Sequence, residues 1–315
     1  MKPPVARHQV TPRAILIAGP TASGKSAAAL ALAERLRGTV INADSMQVYR
    51  ELAVLTARPS KADMARAPHR LYGTVPAARA YSVGSWLEDA ARAIAEAEGE
   101  GRLPILVGGT GLYFKALVEG LAPIPDIPPE IRQAWRASAA ALGAEGLYRE
   151  LEARDPAMAK RLRPSDPQRL VRALEVIDAT GISLAEWQGG AAAPGLAPDA
   201  VRKLVIAPER DPLYTAINTR FDRMVEQGAL QEVRALLALG LDPGLPAMRA
   251  HGVRELSAYL AGTCSLEEAV SKAKTESRRY AKRQMTWARR YMADWDWFPD
   301  ASTATDATVK LLARR

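Results

Sequence analysis

The run Gly19, Pro20, Thr21, Ala22, Ser23, Gly24, Lys25, Ser26 sets glycines, a lysine and a hydroxyl where a phosphate chain can be held. Glycine lets backbone N–H groups turn inward onto phosphate oxygens, and a helix opening directly afterwards adds partial positive charge. Lys25 supplies a point charge to the terminal phosphate, and the Ser26 hydroxyl can ligate a Mg²⁺ that is itself bound to phosphate. This is affinity for a di- or triphosphate; the pattern is shared with ATP-binding proteins but does not by itself specify ATP. A motor ATPase also needs an acid at the end of a second apolar strand. The best such strand, 103–107, runs into Gly108, Gly109 and Thr110, with no acid. That disfavours a hydrolytic motor and favours a transferase that positions an acceptor. Asp44, just after the apolar run 39–42, and Thr110 are the other two residues with chemistry at strand ends. Asp44 suits a general base or a helix cap, and Thr110 suits a donor to developing negative charge or, again, a cap.

Elements of definite type are needed to bring these groups together. Residues 14–18, 39–42, 103–107 and 203–207 read as buried strands. Between them, 26–36, 85–98 and a stretch from Gly111 read as helices; in the second, Trp86, Leu87, Ala90, Ile94 and Ala97 form one apolar stripe. Strands alternating with helices imply a parallel α/β sheet, whose strand C-termini line the ligand crevice. Pro123, Pro125, Pro128 and Pro129 then interrupt the pattern, 130–187 shows helical periodicity alone, and a Gly/Ala/Pro linker covers 189–198. The expected architecture is a P-loop NTPase-like parallel sheet core over 13–125 and 200–300, split by an all-helical insertion over 126–198. Two long helices, 211–239 and 266–292, complete the core.

The 315 residues are 48% hydrophobic and 25% charged, which excludes a disordered or collagen-like chain. No apolar run approaches the ~18 residues of a membrane helix, and the start of the chain lacks a signal-peptide core. Cys264 is the single cysteine, so an internal disulfide and a multi-cysteine zinc site are excluded. His8, His69 and His251 show no metal spacing, leaving phosphate-bound Mg²⁺ as the expected metal. A cytoplasmic monomer without membrane or obligate protein partner is the expectation. Net charge is +8, and 272–290 carries +7 of it through Lys272, Lys274, Arg278, Arg279, Lys282, Arg283, Arg289 and Arg290 against Glu276. A basic stripe of that density points to a polyanion.

Five segments, 19–26, 44–50, 106–117, 166–176 and 280–287, together resemble the tRNA dimethylallyltransferase (tRNA isopentenyltransferase) family, in the family's order and over nearly the whole chain. The runs Asp44-Ser45-Met46-Gln47 and Ala281-Lys282-Arg283-Gln284 with Thr286 and Trp287 are the most specific. The resemblance implies transfer of a dimethylallyl group from dimethylallyl diphosphate to N6 of the adenosine just 3′ of the anticodon in tRNA, with diphosphate leaving. It implies that the phosphate loop and Arg220 hold the diphosphate, that Asp44 takes the N6 proton, and that Thr110 meets the bridging oxygen. It further implies tRNA contacts at Asp44, Ser45, Met46, Gln47, Thr110, Arg132, Gln168, Arg169, Leu170, Val171, Arg172, Arg249, Ala250, His251, Gly252, Val253, Arg254, Lys282, Arg283 and Gln284. The chain departs from the family pattern at Leu55 (usually Gly), Arg58 (usually Lys), Gly73 (usually acidic) and Val253 (usually Tyr). A small-molecule kinase would explain the first third equally well but not the basic helix; an RNA-binding protein with an inert phosphate loop would not need Lys25, Asp44 and Thr110 together.

Overall fold

The computed structural model describes residues 12–190 and 193–313. The Pro-containing start, with His8, and residues 191 and 192 of the linker lie outside them. The chain divides into two compact units: residues up to Val118 with those from Gly195, and Glu119–Pro194.

The first unit opens β1 (Ala14–Ala18), α1 (Lys25–Leu36), β2 (Gly38–Asn42), α2 (Lys61–Arg66), β3 (His69–Arg70), α3 (Val83–Gly99), β4 (Leu103–Gly108) and α4 (Gly111–Glu119). The second unit is α5 (Pro129–Arg154), bent at Gly143 with φ 64°, then α6 (Pro156–Ala159), α7 (Pro167–Thr180) and α8 (Leu184–Gly189). The first unit resumes with β5 (Val201–Ile206), α9 (Arg210–Glu226), α10 (Ala229–Ala238), α11 (Val253–Leu260), α12 (Leu266–Tyr291), β6 (Asp296–Phe298) and α13 (Ala301–Ala313).

All six strands are parallel, in the order β3-β2-β4-β1-β5-β6. Ala14, Leu16 and Ala18 of β1 join one apolar cluster with α3 and α4, while Ile15 and Ile17 join another with α1 and α13. Burial of alternate residues on both faces is why these strands read as continuous apolar runs. In α12, Ala269, Ala273, Ser277, Ala281 and Ala288 form the buried stripe that seats the helix; Lys272, Arg279, Lys282, Arg283, Arg289 and Arg290 are exposed, while Lys274 and Arg278 bond Asp222 and Asn218 of α9.

Three features differ from the sequence expectations. The helix expected over 211–239 is broken at Gln227 and Gly228, where a φ of 103° lets the chain turn between α9 and α10. The short strands β3 and β6 carry too few residues for a visible period. Beyond residue 300, α13 buries Ala304 against the α1 side of the sheet.

Candidate active site

Sheet register sets the geometry of the site. Ala18 lies opposite Gly108, and Asn42 opposite Val107. Gly19, Ala43 and Gly109 therefore leave the sheet at one level, and their loops meet at its C-terminal edge. In the phosphate loop Ala22 and Gly24 have φ of 63° and 87°, the left-handed turns that curl the chain. Lys25 Nζ donates to the Pro20 carbonyl at 3.0 Å. Burial lowers its pKa to about 8; Asp44 opposes that shift and Arg220 adds to it. Arg220, on α9, donates to Thr21 Oγ1, and its pKa is lowered by burial against the pull of Asp44. Two cations thus converge on the loop under desolvation, a state that an incoming anion relieves. Ser26 is exposed in the first turn of α1. Among the described residues no three His, Cys, Asp or Glu cluster to hold a metal.

Asp44 is held from behind. The buried Asn42 side chain accepts from Asp44 N–H at 2.9 Å and donates to the Asp44 carbonyl at 3.0 Å. Asp44 Oδ1 accepts from Met46 N–H at 2.9 Å. No helix starts here, since the next begins at Lys61, so the capping alternative for Asp44 does not hold. Thr110 Oγ1 accepts from Ser45 N–H at 3.0 Å and donates to Ser45 Oγ at 3.3 Å, tying the β4 loop to the β2 loop. These loops touch so closely that a Cβ on Gly108 would overlap the Ala43 carbonyl.

A third tie comes from α12. Gln284 Oε1 accepts from Thr21 N–H and Nε2 donates to the Gly109 carbonyl, each at 2.9 Å. One amide thereby joins the phosphate loop to the loop of Thr110. The family resemblance placed Gln284 among RNA contacts; its bonds to the two loops carry no signal in the sequence, because they join positions far apart in the chain.

Two cavities open beside these loops. The first, about 300 Å³, is lined by Thr21, Asp44, Ser45 and Arg220 together with Leu55, Ile217, Phe221 and Met224. The second, about 210 Å³, is lined by Gly109, Thr110, Gly111, Phe114, Trp287 and Met292. Tyr280 and Arg283 line both. His251 lies against Tyr280 with ring centroids 4.4 Å apart, and burial with the adjacent Arg283 lowers its pKa, leaving it neutral at pH 7. Trp287 lines the second cavity, and its Nε1, packed against Gly111, is buried without a hydrogen-bond partner among the described residues.

Ser45, Met46, Arg249, Ala250 and His251 border the first cavity. Gln47 turns away and donates to the carbonyls of Thr56 and Ala57. Arg254 and Lys282 are exposed. Val253 is buried in the core beside Gly252, so its side chain faces no solvent. In the helical unit, described by itself, Arg132, Gln168 and Arg169 are exposed, and Arg172 lies 3.4 Å from Glu175. Leu170, expected at the RNA face, is instead fully buried in that unit's core. Two departures from the family pattern belong together: a Cβ on Gly73, at φ 64°, would overlap the Arg58 guanidinium, which donates to the Tyr49 and Arg50 carbonyls.

A phosphate loop, a carboxylate and a hydroxyl on a parallel sheet beneath a basic helix define a P-loop-type transferase. The "IPP transferase" family profile matches residues 47–291, and the "Isopentenyl transferase" profile matches 12–78. A tRNA dimethylallyltransferase of Rhodopseudomonas palustris is 55% identical over 96% of this chain and 94% of its own. The crystal structure of a tRNA isopentenylpyrophosphate transferase from Bacillus halodurans is similar at TM-score 0.68, 35% identity and 95% of both chains. A eukaryotic dimethylallyltransferase acting on tRNA matches at TM-score 0.77 and 28% identity, over 91% of this chain and 73% of its own. The chain belongs to the IPP transferase family.

Proposed function

We propose that this enzyme transfers the dimethylallyl group of dimethylallyl diphosphate to N6 of the adenosine 3′ of the anticodon in tRNA. The observation that carries this reading is the first cavity, whose lining joins Asp44 to Thr21 of the phosphate loop and to Arg220. The diphosphate head fits the loop's N–H groups, Lys25 and Arg220. The base must reach Asp44, which lines the first cavity, and Thr110 lines the second; Tyr280 and Arg283 line both. Single-stranded anticodon loops can splay a base into such a pocket cheaply.

The N6 lone pair is delocalised into the ring and nucleophilic only as its proton leaves. Asp44 accepts that proton while the C–N bond forms. The allylic C–O bond breaks and its electron pair departs with diphosphate, where Lys25, Arg220 and Thr110 stabilise the growing charge. Mg²⁺, held through Ser26 and phosphate oxygens, would neutralise part of the same charge when bound. The exposed basic face of α12 and the exposed Arg132, Gln168 and Arg169 supply phosphate and loop contacts. No described helix is long and apolar enough to cross a membrane; a cytoplasmic monomer acting on the anticodon stem-loop accords with this reading. The test is an anticodon stem-loop incubated with labelled dimethylallyl diphosphate and Mg²⁺, with ATP omitted. Label should enter the RNA. A strict ATP requirement, with nucleotide hydrolysed in step with modification, would refute the proposal.

A further inference from the structure

One carboxylate in the first unit accepts from three backbone N–H groups in a row. Glu232, on α10, accepts through Oε2 from Ala53 N–H at 2.7 Å and Val54 N–H at 2.8 Å, and through Oε1 from Leu55 N–H at 2.9 Å. The next two carbonyls, of Thr56 and Ala57, accept from the Gln47 side chain at 2.8 and 3.1 Å. The 53–57 loop is thus gripped from α10 on its N–H groups and from the segment after Asp44 on its carbonyls. Charge-assisted hydrogen bonds to consecutive N–H groups fix a backbone that a loop would otherwise leave free to move. Leu55 and Thr56 of this loop line the first cavity, and so do Arg249, Ala250 and His251 of the connection between α10 and α11. The two stretches approach closely, since a Cβ on Gly252 would stand 2.8 Å from Leu55 Cδ2. Leu55 shares one apolar cluster with Val233 and Leu236 of α10 and with Val253 and Leu256 of α11.

From this geometry we infer that Glu232 is a positioning residue for the acceptor RNA: it ties the 53–57 loop to the helix pair that carries residues 249–251, and so sets the shape of the lining that the anticodon loop meets around Asp44. The inference rests on the acceptor base reaching Asp44 in the first cavity, as in the function proposed above. The chemistry and the donor have separate holds. Asp44 is fixed by Asn42 and by Met46 N–H, while Lys25 bonds Pro20 and Arg220 bonds Thr21; none of these bonds involves the 53–57 loop. Loss of the Glu232 carboxylate should therefore weaken the acceptor and spare the donor. The sign of the effect separates this role from a field effect. Neutralising an acid on a protein that binds a polyanion strengthens binding through the long-range field, whereas a loosened lining weakens it.

The experiment compares the wild type, Glu232→Gln and Glu232→Ala. It measures anticodon stem-loop affinity by anisotropy, donor affinity by displacement of labelled dimethylallyl diphosphate, and single-turnover transfer at saturating donor and stem-loop. Gln keeps the size of Glu and one oxygen but sets an amide N–H against one of the three backbone donors. Stem-loop Kd should rise about tenfold in Glu232→Gln, the equivalent of one hydrogen bond, and further in Glu232→Ala. The slope of log affinity against log salt should not change, because no phosphate contact is lost. Donor affinity and the saturated rate should stay at the wild-type level, which also shows that the variant is folded. Unchanged or tighter stem-loop binding by Glu232→Gln, or a loss of donor affinity as large as the loss of stem-loop affinity, overturns the inference. Should Glu232→Ala fail to fold, the Gln variant decides. Wild type that binds the stem-loop without transferring dimethylallyl to it overturns the proposed function instead, and the stem-loop affinities then still decide the role of Glu232.

Discussion

Replacing Gln284 by Ala removes the amide between the phosphate loop and the loop of Thr110. Two hydrogen bonds of 2.9 Å disappear, leaving the Thr21 N–H and the Gly109 carbonyl unpaired. Net hydrogen bonds are worth about 1 kcal/mol each and an orphaned buried group costs about 1–3 kcal/mol, so a half-buried pair should lose about 2–3 kcal/mol of stability. The kinetic loss should be larger in effect. Asp44 and Thr110 belong to loops level with the phosphate loop, and a displacement near 1 Å of reacting groups costs about 10²-fold. Single-turnover transfer at saturating donor and stem-loop should therefore slow about 10- to 100-fold. Stem-loop affinity should change little, because Gln284 faces the two loops. Gln284→Glu keeps an acceptor for Thr21 N–H but sets an oxygen against the Gly109 carbonyl, and should fall between the wild type and Ala. Stem-loop binding by anisotropy, measured beside the saturated single-turnover rate, separates the outcomes. Weaker RNA binding with an unchanged saturated rate would make Gln284 an RNA contact and refute the clamp.

Lys25, with a pKa near 8 in the free protein, is charged below that value and loses its proton as pH rises. Donor affinity should accordingly fall about tenfold per pH unit above pH 8, with proton uptake on binding in calorimetry, and Lys25→Met should abolish both; a flat affinity from pH 7.5 to 9.5 would count against this. Asp44→Ala should slow the chemical step by about 10²–10⁴-fold, the range of general acid–base help. Thr110→Ala should cost about 10²–10³-fold, and Thr110→Ser should restore most of it; near-normal single-turnover rates in either alanine variant would remove its assignment. Lys282→Ala with Arg289→Ala, both exposed on α12, should reduce the slope of log affinity for tRNA against log salt by about 0.7–0.9 per lost phosphate contact. Donor binding by that pair of substitutions should be unaffected, whereas Arg283, which lines both cavities, is the wrong residue for this test.

The phosphate loop, the strands leading to it and the basic helix were legible from the amino acids alone, because each is a local pattern: glycines and a lysine at fixed spacing, an apolar run, charges on one face; for Asp44 and Thr110 position left a helix cap open, and their roles came from the family resemblance. Local patterns also located the helical stretch between the Pro-rich segment and the linker. What the tertiary structure decided is how residues far apart in the chain meet. Pairing of Ala18 with Gly108 and of Asn42 with Val107 makes three loops level, and register is set by the sheet as a whole. Gln284 meets Thr21 across 263 positions, and Glu232 meets Ala53 across 179. Neither shows a periodicity, since a single side chain contacting a loop has none. Leu170 reads as part of a recognition run and is core, because its helix turns that position inward. Arg58 and Gly73, two separate departures from the family pattern, become one feature only where the guanidinium fills the space a side chain at 73 would need.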